Sequence, residues 1–239
     1  MIDFQIERIV PECESFGVLL DRQAVERLNL YGNLLLEWNQ KINLTAITDP
    51  LDVLYKHFYD CLLLLKAAPP PANATVIDVG TGAGFPGLVL KIARPDLQVT
   101  LLDSLNKRLL FLNEVISRCG LSQAACVHMR AEDAGKTPSH RERYDLACAR
   151  AVAALPVLTE YCLPLVKPGG LFVAMKGPSA EEELKTADRA VRLLGGAQPA
   201  IVCETLTGKE QRAFITVKKI SQTPTKYPRK PNEIAKQPL

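Results

Sequence analysis

VIDVGTGAGFPGLVLKI, Val76 to Ile92, is the stretch that decides the fold. Val76 and Ile77 form a short apolar run that reads as a buried strand, and Asp78 closes it. Gly80, Gly82, Gly84 and Gly87 follow, and the apolar run Leu88-Val89-Leu90 then starts a helix. Strand, glycine turn and helix together are the entry to a nucleotide-binding α/β unit.

Two cofactors compete for this turn. Gly82-Ala83-Gly84-Phe85-Pro86-Gly87 fits the dinucleotide pattern G-x-G-x-x-G. Gly80, Gly82 and Gly84, with Asp78 two residues before the first, fit D-x-G-x-G-x-G, the glycine motif of enzymes that use S-adenosylmethionine (SAM). Charge separates the two. A dinucleotide turn offers backbone N–H groups and a helix N-terminus to a pyrophosphate, and a carboxylate at the strand end repels that ligand. SAM carries a sulfonium and an ammonium and no phosphate, so an acidic strand end suits it. The next strand, Val99 to Leu102, also ends in an acid, Asp103, where either cofactor needs one for its ribose.

Outward from this unit, strands and helices alternate from Thr75 on, which predicts a parallel sheet. A helix over 106–119 is stopped by Gly120. Strands follow at 125–128 and 144–149, ending at Arg130-Ala131-Glu132-Asp133 and at Arg150. A helix over 153–165 leads through a tight turn, Lys167-Pro168-Gly169-Gly170, into a strand over 171–175. A helix over 181–194 and a hairpin of 200–206 with 212–219 complete seven strands. The expected fold is α/β, a Rossmann-like SAM-dependent methyltransferase domain over 71–220 with a mostly parallel seven-stranded sheet flanked by helices. Ligands bind at the carboxyl ends of such strands, and Asp78, Asp103, Glu132 and Arg150 all stand at strand ends.

Residues 1–70 read as an N-terminal helical extension. Ala24, Leu28, Tyr31, Leu35 and Trp38 recur at helical spacing. Asp49-Pro50 then restarts a helix, with Asp49 as its cap, and it runs to Lys66. His57 and Asp60 share one face of it. They read as a hydrogen-bonded pair docking the extension, or as an acid–base pair.

Seven cysteines without a C-x-x-C pair, and three scattered histidines, argue for reduced thiols in a cytoplasm and against a zinc site. No apolar run approaches the roughly 18 residues of a membrane span. The amphipathic start MIDFQIERIVPE does not read as a signal peptide. The net charge of +3 is unevenly placed. Residues 218–239 hold six Lys and Arg against one Glu, so a basic tail over 221–239 follows a slightly acidic body. That suggests a polyanionic partner, or a solubilising tail.

The strand-four end reads Cys148-Ala149-Arg150-Ala151-Val152, not the N/D/S-P-P-Y/F/W signature of exocyclic-amine methylases, and no Pro-Cys nucleophile of a cytosine-C5 methylase occurs. An acceptor that is already nucleophilic, such as guanine N7, needs neither.

At this point the chain resembles the RsmG (GidB) family of bacterial 16S rRNA guanine-N7 methyltransferases. The resemblance rests on Trp38-Asn39 with Asn43-Leu44-Thr45, on His57-Phe58-Tyr59-Asp60, and on the glycine motif running into Gly84-Phe85-Pro86-Gly87. It continues through Asp103-Ser104-Leu105-Asn106-Lys107-Arg108, Arg130-Ala131-Glu132-Asp133, Ala149-Arg150-Ala151, Lys176-Gly177 and Tyr227-Pro228-Arg229-Lys230. Cys61 departs from a common Ser, and Pro231-Asn232-Glu233-Ile234 from a Gly- and Pro-containing tail. The resemblance implies SAM as cofactor and, as substrate, a guanine of the 530 loop in 16S rRNA or the small ribosomal subunit. It implies SAM contacts at Gly80, Phe85, Ala131, Glu132 and Arg150, beside Asp78, Gly82, Gly84 and Asp103 of the strand ends. Arg150 would also position the guanine, and Lys226, Arg229, Lys230 and Lys236 would hold RNA. A nonenzymatic ribosome-assembly factor and an NAD-dependent dehydrogenase are the rival readings.

Overall fold

A computed structural model describes residues 1–208 and 210–239. Seven strands lie in one sheet, in the order β3-β2-β1-β4-β5-β7-β6. They are β1 (Thr75–Val79), β2 (Gln98–Asp103), β3 (Ala124–His128), β4 (Tyr144–Arg150), β5 (Val166–Lys176), β6 (Ala200–Thr207) and β7 (Glu210–Lys218). β1 to β5 pair in parallel, while β7 runs antiparallel to β5 and forms a hairpin with β6. The strand order reverses between β1 and β4, the crevice where open α/β sheets bind ligands.

One difference from expectation lies at Lys167-Pro168-Gly169-Gly170. These residues belong to β5, not to a turn before it. The pairing jumps from Tyr144–Val166 to Leu146–Leu171, so the extra residues bulge out of the ladder. The bulge is held because Gly169 N–H donates to Lys219 O and Lys219 N–H donates to Gly170 O. The helix expected over 153–165 is shorter, because Pro164 ends regular pairing and the last residues form a 3₁₀ turn.

The extension supplies α1 (Val10–Ser15), α2 (Arg22–Asn39), α3 (Pro50–Val53), a π turn (Leu54–Tyr59) and α4 (Asp60–Ala67). Asp21 caps α2 by accepting from Ala24 N, and Asp49 caps α3 by accepting from Leu51 N and Asp52 N. The expected stripe is buried at Ala24, Leu28, Tyr31 and Leu35, and Trp38 donates to Glu114 on α6 (Asn106–Arg118). Tyr31 sits among Phe58, Phe85 and Phe111, at centroid distances of 5.4 to 6.3 Å. The extension therefore shares one continuous apolar core with α5 (Gly87–Ala93), α6 and one face of the sheet.

The opposite face carries α7 (Ala131–Ala134), α8 (Leu155–Cys162) and α9 (Ala180–Leu193). The segment after β7 is packed onto this side. Thr223, Tyr227 and Ile234 are buried, and α10 (Pro231–Lys236) lies at its end. Among the described residues no helix is long and apolar enough to cross a membrane.

Candidate active site

The chain leaves β1 through Gly80 at φ +67°, a backbone conformation that favours glycine. Gly80 N–H and Thr81 N–H both donate to Leu102 O on β2, at 2.9 and 3.0 Å. A β-carbon on Gly80 would stand 2.8 Å from Val152 Cγ2, so a side chain there would push away the loop that follows β4.

Gly80 opens a cavity of about 280 Å³ at the carboxyl ends of β1, β2, β3 and β4. Its polar wall is Asp103, Ser104, Arg108, Arg130 and Glu132, and its apolar wall is Val79, Leu102, Met129, Ala131, Ala151, Val152 and Tyr161. Asp103 and Glu132 are only 3 % and 6 % exposed. Asp103 joins the two turns around it. Its Oδ2 accepts from Gly82 N at 2.9 Å and from Arg108 at 3.3 Å, and its Oδ1 accepts from Leu105 N at 2.8 Å.

Other expected cofactor residues stand behind this wall. Asp78 is fully buried under the glycine turn, where its Oδ2 accepts from Thr81 Oγ1 at 2.6 Å and from Gly87 N at 2.8 Å. Burial pushes its carboxyl up to about 6, against the pull of those two hydrogen bonds. Gly84 faces the extension: a β-carbon there would lie 2.7 Å from the Tyr31 hydroxyl, which donates to Ala83 O. Phe85 is buried between Tyr31 and His57.

Arg150 points into a second cavity of about 480 Å³, lined also by Lys56, His57, Asp60, Lys176, Glu183 and Arg212. Ala151, at φ +56°, lines both cavities. The Arg150 guanidinium lies over Phe85, 4.8 Å from the ring centroid. Its Nη1 donates to Lys56 O and to Asp60 Oδ2, both at 3.0 Å, while Asp60 Oδ1 accepts from Arg212 Nε at 2.9 Å. Burial pushes the Asp60 carboxyl up, and the two guanidinium groups hold it back. His57 stacks on Phe85 at 4.4 Å, and its Nε2 lies 2.8 Å from the Thr45 hydroxyl. Burial, then the charge of Arg150, push its imidazole down to about 3, so it is neutral. His57 and Asp60 thus meet at Arg150 rather than at each other. Both sit on or beside the π turn, a distortion that concentrates at functional sites.

The tail residues are divided. Arg229 donates to Glu160 of α8 from its backbone N, Nε and Nη2, the last at 2.6 Å, and Glu160 is fully buried. Lys226, Lys230 and Lys236 are exposed. Sequence reasoning missed Arg212, Arg108, Glu183 and the Tyr31 anchor. A lone arginine early in a late strand carries no motif, and Tyr31 read only as one member of an apolar stripe.

The first cavity fits SAM by its donor set. Two buried carboxylates, beside Arg108 and Arg130, face apolar walls, a set that suits ribose hydroxyls and a cationic amino-acid group. Among the described residues no group of three or more His, Cys, Asp or Glu side chains is placed to hold a metal ion.

The family model of GidB, rRNA small subunit methyltransferase G, matches residues 24–214. The chain is 51 % identical over 210 residues to ribosomal RNA small subunit methyltransferase G of Desulforamulus reducens, covering 87 % of this chain and 88 % of that one. It is 48 % identical over 228 residues to the protein of the same name from Alkaliphilus metalliredigens, covering 95 % of each. Among solved structures, a variant of the 16S rRNA (adenine(1408)-N(1))-methyltransferase from Catenulisporales acidiphilia with cosubstrate SAM superposes with a TM-score of 0.50 at 17 % identity. That match covers 64 % of this chain and 88 % of the other and speaks to the fold alone.

Proposed function

The chain belongs to the rRNA small subunit methyltransferase G family and is an rRNA methyltransferase, and from that premise we propose that it transfers the methyl group of SAM to N7 of a guanine in the 530 loop of 16S rRNA. The observation that carries the reading is the junction at Ala151. A cavity whose wall holds the buried carboxylates Asp103 and Glu132, with Arg108 and Arg130, meets a cavity where Arg150, Arg212, Lys56 and Lys176 outnumber Asp60 and Glu183.

The residues divide the work by charge. When bound, SAM supplies an electrophilic methyl on a sulfonium. Asp103 accepts from the ribose hydroxyls and Glu132 offers its carboxylate to the cationic ligand, while Gly80 keeps the backbone close. Guanine presents O6 beside N7 on one edge; a guanidinium donating to O6 alone would orient the base and leave N7 open to the methyl group. N7 has a free lone pair, so no base has to remove a proton. A neutral, stacked His57 and a carboxylate committed to two guanidinium groups are consistent with that. What the site contributes is alignment and electrostatics. Lys226, Lys230 and Lys236 lie outside the pocket and supply charge for RNA phosphates. The chain would work in the bacterial cytoplasm, where assembling small subunits are found.

The test uses 16S rRNA or small subunits from a strain lacking the gene. One methyl per molecule should be incorporated from labelled SAM. N7 methylation makes the purine cationic, so borohydride–aniline treatment should then cut at one guanine in the 530 loop. Methyl incorporation without cleavage would mean that another atom is modified.

A further inference from the structure

The loop between the two cavities, residues 151–154, is short and carries little of its own support. Ala151 stands at positive φ, and Val152 is pressed against Gly80. α8 starts just after it, and Ala154, at the position that caps the helix, has no side chain able to accept a hydrogen bond. Two residues from elsewhere supply what is missing. Glu183, on α9, accepts from Leu155 N at 2.8 Å, acting as a cap brought from 28 residues away. Lys176, at the end of β5, donates to Ala153 O at 2.7 Å and to the same Glu183 oxygen at 2.7 Å. Both side chains are mostly shielded, at 11 % and 23 % exposed, so little water is available to replace these bonds.

We propose that Lys176 and Glu183 are positioning residues that fix loop 151–154 between the cofactor and acceptor cavities, and so set the distance and angle between methyl donor and guanine. The proposal rests on the methyltransferase reading above. Lys176 lines the acceptor cavity, but two of its three N–H groups are used on Ala153 O and Glu183. Its pull on Ala153 O and the Glu183 acceptor at Leu155 N act on the two ends of the same three-residue span. Losing either frees the peptide beside Ala151, the residue common to both cavities. A displacement of about 1 Å at such a point costs up to about 100-fold in rate.

The test compares Lys176→Met, Glu183→Ala and Glu183→Gln with the parent enzyme. Melting temperature, SAM affinity by calorimetry, and kcat and KM on small subunits are measured for each. Lys176→Met and Glu183→Ala should lower kcat about 10- to 100-fold and weaken SAM binding severalfold through Ala151 and Val152. KM for the subunit should move less than threefold. Glu183→Gln keeps an acceptor for Leu155 N and should recover most of the kcat that Glu183→Ala loses. If the variants melt earlier but keep kcat and SAM affinity within twofold, the pair only stabilises the fold and the proposal fails. Equal losses in Glu183→Gln and Glu183→Ala would also overturn it, because the cap would then not be the acting contact. Should Glu183→Ala fail to fold, Lys176→Met and Glu183→Gln carry the same comparison. A parent enzyme inactive on small subunits would instead defeat the proposed substrate, and the SAM titrations would still decide the role of the loop.

Discussion

Arg108 Nη1 stands 3.3 Å from Asp103 Oδ2, inside the cavity assigned to the cofactor. The acid proposed for the ribose is therefore already engaged by a cation that lines the same space. Replacing Asp103 by Ala removes charge-assisted hydrogen bonds and should cost about 1.5–3 kcal/mol of SAM affinity. Replacing Arg108 by Ala should leave affinity unchanged or improve it, because the ribose no longer competes. Calorimetry on both variants decides this; an Asp103→Ala protein that binds SAM normally would remove the acid from the site.

His57 gives a pH prediction with a definite sign. Its imidazole is held near 3 in the folded chain, against roughly 6.5 when unfolded. Below about pH 6.5 the unfolded state binds the proton that the native state refuses, so stability falls as pH falls, by up to about 1.4 kcal/mol per pH unit. Asp78, raised to about 6, has the opposite slope between roughly 3.8 and 6, where the native state holds the extra proton. The two oppose each other in that window. A His57→Gln protein loses the His57 slope only, and urea unfolding from pH 4.5 to 7 should show the variant gaining stability on acidification relative to the parent. Parallel curves would mean that His57 titrates normally.

The docked tail changes how RNA binding is best tested. Truncation would uncover the buried Glu160 and remove Tyr227 and Ile234 from the core. A triple replacement of Lys226, Lys230 and Lys236 by Ser leaves those contacts in place. If each lysine neutralises one phosphate, the slope of log K against log salt should become shallower by about 2 to 3. An unchanged slope in filter-binding experiments would show that these lysines face solvent in the complex.

Arg229 is engaged by Glu160 through its backbone N, Nε and Nη2. Arg229→Ala leaves the fully buried Glu160 carboxylate without its main partner and should cost about 3–5 kcal/mol. Arg229→Met combined with Glu160→Leu should recover most of that loss. A single variant that melts like the parent would contradict the ion pair.

The sequence was most legible where backbone and charge coincide. The glycine turn, the strand-end acids and the Asp49-Pro50 helix start depend on neighbours in the chain, and each is found where expected. Contacts made across the fold were not legible. Glycine spacing does not reveal that Gly80 faces a cavity while Gly84 makes room for Tyr31. Nothing near Asp60 announces Arg212, which lies 152 residues away. Burial of a basic residue such as Arg229 is likewise decided by an acid on another element, so a charged tail read from composition conceals which of its cations are spent.

The π turn at Leu54–Tyr59 also constrains how this chain can change length. Such a turn accommodates one residue more than an α-helix would. Deleting one residue there would let the helix regularise its hydrogen bonds locally. The flanking helix would keep its rotation, because the π turn is where the extra residue is absorbed, but His57 would shift from its place between Phe85 and Arg150. In aligned relatives that keep this histidine, the spacing from His57 to Asp60 should therefore be gap-free.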